Sequence, residues 1–201
     1  MGTDTHSMIE DIRSFGYPIS SPLLSAMRSV PRESFAHTNP FANNASRIDC
    51  GQTISQPFIV AYMIEILNVK PSHRVLEIGT GSGYSASVLS QCVSKVYSVE
   101  VIEHLAKTST KLCKELGYTN LHITHNNGRN GWNEHAPYDR ILITAASDNI
   151  PKSLIEQLKT GGELVLPLNS SSGTTLVKIT KTDEGTERKE YIKVVFVPLV
   201  K

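Results

Sequence analysis

The central part of the chain alternates between short apolar runs and longer amphipathic stretches. The apolar runs predict five strands, at residues 74–78, 96–99, 121–124, 140–145 and 163–168. The stretches between them predict three helices, at residues 84–93, 102–116 and 151–158. Regular alternation of strand and helix is typical of a mostly parallel sheet that helices cover on both faces. The pattern therefore predicts an α/β fold.

The N-terminal part of the chain combines short helical segments with a long loop. Residues 8–15 and 21–30 predict two helices, with Ser21 as the capping residue of the second and Pro22 in its first turn. Residues 31–56 are rich in proline and asparagine, which predicts a loop.

Two further elements flank the alternating region. A helix is predicted to begin at Pro57, because apolar residues then recur on one helical face. Near the C-terminus, residues 175–180 and 191–197 flank the turn sequence Asp183-Glu184-Gly185 and predict an antiparallel β-hairpin. We expect this hairpin to extend one end of the sheet.

Composition narrows the classes of protein that the chain can represent. A length of 201 residues fits one domain, and a hydrophobic fraction of 39% excludes a disordered chain. Twenty basic and nineteen acidic residues leave a net charge of +1, so we expect no nucleic-acid and no membrane partner. No apolar run reaches the roughly 18 residues that a membrane span needs.

The cysteines and histidines show neither a disulfide pattern nor a metal pattern. The chain has three cysteines, Cys50, Cys92 and Cys113. Their odd number and wide spacing favour a reducing compartment. His122 and His125 are predicted to face opposite sides of a strand, and no metal site is expected. Residues 1–7 lack the apolar core of a signal peptide and are interpreted as a leader before a start at Met8, so we expect a cytoplasmic protein.

A glycine-rich turn is the clearest candidate for a ligand-binding motif. The strand at 74–78 runs into Gly79-Thr80-Gly81-Ser82-Gly83, and a helix is predicted directly afterwards. Glycines allow a tight turn and close approach of a ligand, and a helix N-terminus offers free N–H donors. The dinucleotide fingerprint G-x-G-x-x-G needs a glycine where this chain has Tyr84, which counts against a dinucleotide.

Two carboxylates help to identify the ligand. Glu77, just before the turn, is expected to point at a ligand that carries an amino group or a positive charge. Glu100, at what we expect to be the exposed end of the next strand, is placed to accept hydrogen bonds from ribose hydroxyls. Together they favour S-adenosylmethionine as the cofactor. An ordinary strand–helix turn with surface glutamates is the alternative.

Longer motifs point to a particular family. They span nearly the whole chain and are Val30-Pro31-Arg32-Glu33-Ser34-Phe35, Gly51-Gln52-Thr53-Ile54-Ser55-Gln56-Pro57, the turn from Glu77 to Tyr84, Gly131-Trp132, Ala136-Pro137-Tyr138-Asp139, Thr144-Ala145-Ala146, Gln157-Leu158-Lys159-x-Gly161-Gly162 and Phe196-Val197-Pro198-Leu199-Val200. In these segments the chain resembles the protein-L-isoaspartate O-methyltransferase family of class I methyltransferases. The resemblance implies a Rossmann-like methyltransferase sheet with N-terminal helices and a C-terminal hairpin.

The resemblance also implies an activity and a set of site residues. The family transfers methyl from S-adenosylmethionine to the side-chain carboxylate of L-isoaspartyl residues in damaged proteins or peptides, which starts repair through a succinimide. By resemblance, Thr53 and Ser55 hold that carboxylate, and Gln52, Ile54 and Val197 form its pocket. The implied cofactor-binding residues are Glu77, Gly79, Thr80, Gly81, Ser82, Gly83, Glu100, Asn127 and Gly128. A helix cap ahead of the proline at 57 is the alternative role for the two hydroxyls.

The chain departs from the family pattern at three places. The family usually has Gly-Asp-Gly where this chain has Asn126-Asn127-Gly128, so Asn127 offers the adenine amino group a neutral acceptor. Asp49 stands where the family usually has glycine and is expected to repel a carboxylate. Asn43 lies near a position that is usually acidic. Next to Asp49, Cys50 is expected to be a packed small side chain.

We predict one methyltransferase domain over residues 1–201. Its parts are N-terminal helices and substrate loop at 8–56, a cofactor-binding core at 57–168 and the hairpin at 169–201. The expected partners are isoaspartyl-containing proteins or peptides, and the chain is expected to be a monomer. Two alternatives stay open: a family relative that methylates another peptide carboxylate, and a cofactor-binding module without turnover.

Overall fold

Two helices and an irregular loop precede the main sheet. A computed structural model of the chain describes residues 4–200, so the predicted leader at 1–7 lies partly outside the described residues. Helix α1 spans Thr5–Ser14, three residues longer at its start than predicted. It begins there because the Asp4 side chain accepts a hydrogen bond from the Ser7 N–H at 2.8 Å. The Ser7 hydroxyl completes this capping box, so polar residues start the helix before its apolar face begins.

Helix α2 spans Ser21–Ser29, and its cap differs from the prediction. The capping residue is Ser20 and not Ser21, and its side chain makes no capping hydrogen bond. The Ser20 hydroxyl instead donates to the carboxylate of Glu65 at 2.8 Å. Pro22 lies in the first turn as expected.

The segment predicted as a loop contains short elements. Strands β1 (Ser46–Arg47) and β2 (Thr53–Ile54) pair antiparallel, and 3₁₀ turns occupy Arg32–Ser34 and Asp49–Gly51. Two-residue strands carry too little hydrophobic alternation to be recognised in a sequence. Helix α3 (Pro57–Ile66) follows and begins at the predicted residue.

One seven-stranded sheet forms the centre of the molecule. Its strands are β3 (Arg74–Ile78), β4 (Lys95–Glu100), β5 (Leu121–His125), β6 (Tyr138–Ile143), β7 (Leu158–Ser170), β8 (Gly173–Thr182) and β9 (Gly185–Val194). Their order is β5-β4-β3-β6-β7-β8-β9, and the pairs up to β7 are parallel while β8 and β9 are antiparallel. Helices α4 (Tyr84–Ser90), α5 (Glu103–Glu115) and α6 (Lys152–Glu156) connect parallel strands. The predicted α/β fold with a C-terminal hairpin is confirmed.

Two hydrophobic clusters lie on opposite faces of this sheet. Successive residues of β3 point to opposite faces of the sheet. Val75 packs in the cluster that contains helices α1 to α4, and Leu76 packs in the cluster that contains α6. Among the described residues, no helix has the length and apolar character needed to cross a membrane.

The largest errors in the predicted boundaries occur in the C-terminal part. Strand β7 begins at Leu158, where a helix was predicted to end, and not at residue 163. It continues to Ser170, beyond the predicted end of the cofactor-binding core at residue 168. Strand β9 ends at Val194, and the segment after it turns back to the residues that follow β6. There the N–H of Ala146 donates to the carbonyl of Val197 at 2.8 Å. Val197 therefore lies in a covering segment and not in the hairpin strand that was predicted for it.

Candidate active site

A cleft opens where β3, β4 and β6 end. The chain leaves the sheet centre in opposite directions at β3 and β6, and ligands of α/β proteins bind at such a switch point, beyond the carboxyl ends of the strands. The first lobe of the cleft is lined by Gln52, Thr53, Ile78, Gly79, Gly81, Val99–Ile102, Gly128, Thr144, Ala145 and Val197–Val200. The second lobe is lined by Thr53–Ser55, Val60, Met63, Gly79–Ser82, Tyr84, Ser85, Leu142 and Thr144.

The glycine turn forms the floor that both lobes share. Gly79 has φ 93°, and a Cβ there would lie 2.5 Å from the hydroxyl oxygen of Thr144. That hydroxyl donates to the carbonyls of Ile78 and Gly79. Glycine is therefore required for the close approach of β3 and β6 at this point.

The other predicted turn residues divide between the cleft and the interior. Gly81 lines both lobes, and Thr80 and Ser82 line the second. Gly83 faces helix α5, where an added Cβ would lie 3.1 Å from the Cys113 sulfur. Gly83 is absent from the described cleft walls, and its close packing against α5 explains why glycine is needed there.

Glu100 lines the first lobe but does not lie at an exposed strand end. Only 5% of its surface is accessible. One carboxylate oxygen accepts from the Gly81 N–H at 2.8 Å and the other from the Ile102 N–H at 2.9 Å. The prediction of exposure was wrong because these two backbone donors bring the carboxylate inward. Glu100 both shapes the turn and presents its remaining lone pairs to the cleft.

Glu77 lies beneath the turn and is absent from the walls of the cleft, so the expectation that it points at the cofactor is not met. It is completely buried, and its Oε2 accepts from the Ser98 hydroxyl at 2.7 Å. Ser98 in turn lies 2.6 Å from the Thr80 hydroxyl. Burial raises the pKa of Glu77 to about 7, against the opposing effect of hydrogen bonds from Ser98 and Ser85. The carboxyl group supports the turn from below.

The two predicted substrate hydroxyls lie together in the second lobe. Thr53 begins strand β2 and lines both lobes, and Ile54 and Ser55 follow it in the second. Among residues 4–200, neither the Thr53 nor the Ser55 hydroxyl has a hydrogen-bond partner. The N–H of Phe58, in the first turn of α3, is bound by Asn43 at 3.0 Å. The capping alternative for Ser55 is therefore wrong, and Asn43 has that role.

Asp49 and Cys50 point away from the cleft. The Asp49 carboxylate lies 3.1 Å from Nε2 of His104 on α5, and both side chains are more than half exposed. The Asp49 carboxylate is therefore absent from the described cleft walls, where it was expected to repel a carboxylate substrate. Cys50 is exposed, so its prediction as a packed side chain was wrong. Its φ of 57° at the tip of the 3₁₀ turn holds it outside the core.

Asn127 and Gly128 differ in their relation to the cleft. Gly128 lines the first lobe, and a Cβ there would collide with the Ile78 side chain. Asn127 is not on the wall, and its side-chain oxygen accepts from the Arg129 N–H at 3.0 Å. The residue predicted as the adenine acceptor therefore caps the turn that places Gly128.

Two residues that close the first lobe were not among the predicted site residues. Thr144 follows β6, and Leu199 lies in the segment that covers the cleft. Besides the bond from Ala146 to Val197, this segment is held by hydrogen bonds from the Leu199 N–H to the Ala146 carbonyl at 2.7 Å and from Arg129 to the Leu199 carbonyl at 3.0 Å. The position of Thr144 directly after a buried strand was the available signal for its role.

The composition of the cleft restricts the ligand. Among the described residues that line it, none is lysine or arginine, so no cation is present for a pyrophosphate. The Glu100 carboxylate suits a ribose diol, and Val99, Ile102 and Leu199 provide apolar walls for a flat base. In the described part of the chain, no group of three or more histidine, cysteine or acidic side chains converges to hold a metal.

The sheet order, the glycine turn and this cleft define a Rossmann-like methyltransferase of class I. The family model of protein-L-isoaspartate(D-aspartate) O-methyltransferase matches residues 3–201, and the chain belongs to that family.

Relatives and solved structures agree with this assignment. The chain is 48% identical over 184 residues to protein-L-isoaspartate O-methyltransferase 2 of Pelobacter propionicus, covering 89% of this chain and 82% of the relative. It is 44% identical over 185 residues to protein-L-isoaspartate O-methyltransferase of Parvibaculum lavamentivorans, covering 89% and 83%.

A solved protein-L-isoaspartate O-methyltransferase superposes with a TM-score of 0.89 at 25% identity, covering 98% of this chain and 66% of that structure. A beta-aspartate methyltransferase from Plasmodium falciparum in complex with S-adenosyl-L-homocysteine superposes with a TM-score of 0.88 at 24% identity, covering 99% of each chain.

Proposed function

We infer that this chain transfers a methyl group from S-adenosylmethionine to the side-chain carboxylate of L-isoaspartyl residues in proteins or peptides. The observation that carries this inference is the second lobe, where the hydroxyls of Thr53 and Ser55, which have no hydrogen-bond partner in the described chain, adjoin the glycine turn. Family membership over residues 3–201 supports the same activity.

The cleft fits the cofactor. Gly79, Gly81 and Gly128 allow its close approach, and the carboxylate of Glu100 provides acceptors for ribose hydroxyls. The bound cofactor supplies an electrophilic methyl group on a sulfonium. Glu77 holds the turn through Ser98 and Thr80 and is not assigned a direct contact.

The chain's own task is to orient the substrate. A carboxylic acid with a reference pKa near 4 is ionised at neutral pH, so its oxygen is already nucleophilic and no general base is required. Thr53 and Ser55 have hydroxyl donors free to hold such a carboxylate in one orientation. Apolar neighbours such as Ile54 and Val60 keep the lobe partly dry, which favours a reaction that discharges an anion and a cation. The product ester is open to attack by the next backbone nitrogen, which closes a succinimide and releases methanol.

One experiment tests the proposal. Transfer of labelled methyl is measured with an isoaspartyl peptide and with its aspartyl twin. We expect transfer to the isoaspartyl peptide and little to the twin. Cofactor binding without transfer to either peptide would identify a module without turnover, and transfer only to a different peptide carboxylate would identify a relative with another substrate.

We further propose a cytoplasmic monomer that acts on damaged proteins without a nucleic-acid or membrane partner. Unpaired cysteines at 50, 92 and 113 support a reducing compartment. A single sheet that both hydrophobic clusters contact supports one domain. Light scattering of the purified chain tests the monomer.

A further inference from the structure

A buried arginine stands behind the second lobe. Arg32 lies in the 3₁₀ turn at Arg32–Ser34 and is 1% exposed. Its Nη2 donates to the Ser55 carbonyl at 2.8 Å, and its Nε donates to the Pro40 carbonyl at 2.7 Å. The guanidinium carbon lies 4.4 Å from the centre of the Tyr84 ring. Ser55 and Tyr84 both line the second lobe, so the cation contacts two residues of its wall.

The charge of Arg32 has no counter-ion among residues 4–200. No carboxylate lies within ion-pair distance of it, and its Nη1 has no hydrogen-bond partner. The neighbouring Glu33 is exposed. The other deeply buried arginine of the described chain, Arg140, differs in this respect, because its Nε lies 3.3 Å from Glu163. Burial lowers the pKa of Arg32, but a guanidinium stays protonated in proteins.

An unpaired buried cation is costly, and its cost falls when an anion binds nearby. No described residue that lines the second lobe carries an ionised side chain, so none of them offsets the charge of Arg32. We propose that Arg32 makes the second lobe selective for an anion, stabilising through the Ser55 wall a carboxylate held at Thr53 and Ser55. This inference rests on the proposed function and names the residue that sets its substrate charge.

The chemistry of the reaction defines the expected kinetic effect. The substrate carboxylate loses its charge as its oxygen bonds to the methyl group, so a fixed cation stabilises the bound substrate more than the transition state. Loss of the charge should therefore raise KM for the peptide without lowering kcat. Arg32 is a positioning and specificity residue, since it acts through the wall and does not line the cleft.

The test compares two peptides that differ only in one side chain, isoaspartyl and the neutral isoasparaginyl form. Their affinities are measured on protein saturated with S-adenosyl-L-homocysteine, where no turnover occurs. We expect Arg32→Gln to reduce the preference for the carboxylate peptide about tenfold, the effect of one unit charge in a partly dry site. Arg32→Lys retains the charge and should retain the preference. Affinity for S-adenosyl-L-homocysteine serves as the check on folding.

Arg140→Gln is the matched control, because it removes a buried arginine that has its own counter-ion away from the cleft. An unchanged carboxylate preference in Arg32→Gln would overturn the inference about Arg32. Methyl transfer by the wild type would still support the proposed function in that case. Equal losses in Arg32→Gln and Arg32→Lys, or in Arg140→Gln, would also overturn the inference about Arg32. If Arg32→Gln does not fold, Arg32→Lys provides the test. Loss of the carboxylate preference in the folded lysine variant, which keeps the charge, would contradict a role for that charge. Absence of methyl transfer by the wild type contradicts the proposed function itself.

Discussion

The side-chain oxygen of Asn43 accepts a hydrogen bond from the backbone N–H of Phe58 at 3.0 Å. This N–H belongs to the first turn of α3 and has no partner within the helix. Because Asn43 reaches it from the preceding loop, the hydroxyl of Ser55 stays free to face the second lobe. Asn43, which lies near a position where the family tends to be acidic, therefore caps α3 in place of Ser55.

Asn43→Ala should lower the free energy of unfolding by about 1 kcal/mol, the usual effect of removing a helix cap. Denaturant unfolding of the variant and of wild type measures the difference. Asn44→Ala is the control, since the side chain of Asn44 donates a long hydrogen bond to the carbonyl of the next residue, at 3.4 Å, and caps no helix. Equal stability of the two variants would show that the α3 cap contributes nothing.

Ser55→Ala should abolish most methyl transfer and leave both thermal stability and cofactor affinity unchanged. The physical reason is that its hydroxyl has no partner in the described chain, so its removal breaks no existing hydrogen bond. Methyl transfer, a melting curve and calorimetric titration with S-adenosyl-L-homocysteine give the three readouts. Normal activity in a less stable variant is the result that would exclude a substrate role.

Glu100→Ala should weaken cofactor binding by about 1.5–3 kcal/mol, the range for hydrogen bonds to a charged group. The structure adds a second effect, because the variant leaves the N–H groups of Gly81 and Ile102 without their acceptor. We therefore expect a loss of stability of about 1–3 kcal/mol as well.

Calorimetric titration and denaturant unfolding measure these two effects of Glu100→Ala. The matched control is Glu103→Ala, which removes an exposed carboxylate three residues further on that pairs with Lys107. Unchanged affinity in Glu100→Ala would remove the residue from the ribose site.

The fold was largely predictable because its strands are buried apolar runs. Strand β3 was predicted with both ends correct, since Arg74–Ile78 is flanked by a polar turn and by Gly79. Strand β9 was not, because residues 185–190 are all exposed at the sheet edge and show no apolar alternation. A local pattern of apolar and polar residues indicates which positions are buried, and an edge strand has few buried positions.

The sequence indicated several residues that line the cleft, but it did not indicate the direction in which each side chain points. Thr53 and Ser55 were expected to act together, and they line the same lobe because only one residue separates them in the chain. Glu77 and Asn127 were expected on the cleft wall. The side chain of Glu77 is instead bound below the turn by Ser98, which is distant in sequence. The side chain of Asn127 is bound by the Arg129 N–H in the turn that follows it. The direction of a side chain depends on such partners, which a local motif does not contain.

Asn127→Asp should tighten cofactor binding by about 1 kcal/mol, or roughly fivefold, if the side chain reaches the adenine amino group as the family pattern implies. The structure supplies a competing outcome. An aspartate would also strengthen the cap on the Arg129 N–H, which raises stability alone. Measuring both the dissociation constant and the melting temperature separates these roles. A more stable variant with unchanged affinity would confine Asn127 to capping.

The buried carboxyl group of Glu77 should make stability depend on pH. Burial raises the pKa of Glu77 to about 7 from the ordinary value of 4.5. Between these values the folded state binds more protons than the unfolded state, so the free energy of unfolding falls as pH rises from about 5 to 7 and then levels off. The total change is on the order of 3 kcal/mol.

Glu77→Gln removes this titration and keeps a side-chain oxygen that can accept from Ser98. Denaturant unfolding of the variant and of wild type is measured at several values between pH 5 and pH 8. The difference between them, in favour of glutamine, should grow with pH across this range. His73 and His122, whose pKa values burial lowers, titrate in both proteins and cancel in the difference. Glu115→Gln changes an exposed carboxylate and should give a flat difference. A flat difference for Glu77→Gln as well would mean that the carboxylate is ionised throughout, with the hydrogen bonds from Ser98 and Ser85 outweighing its burial.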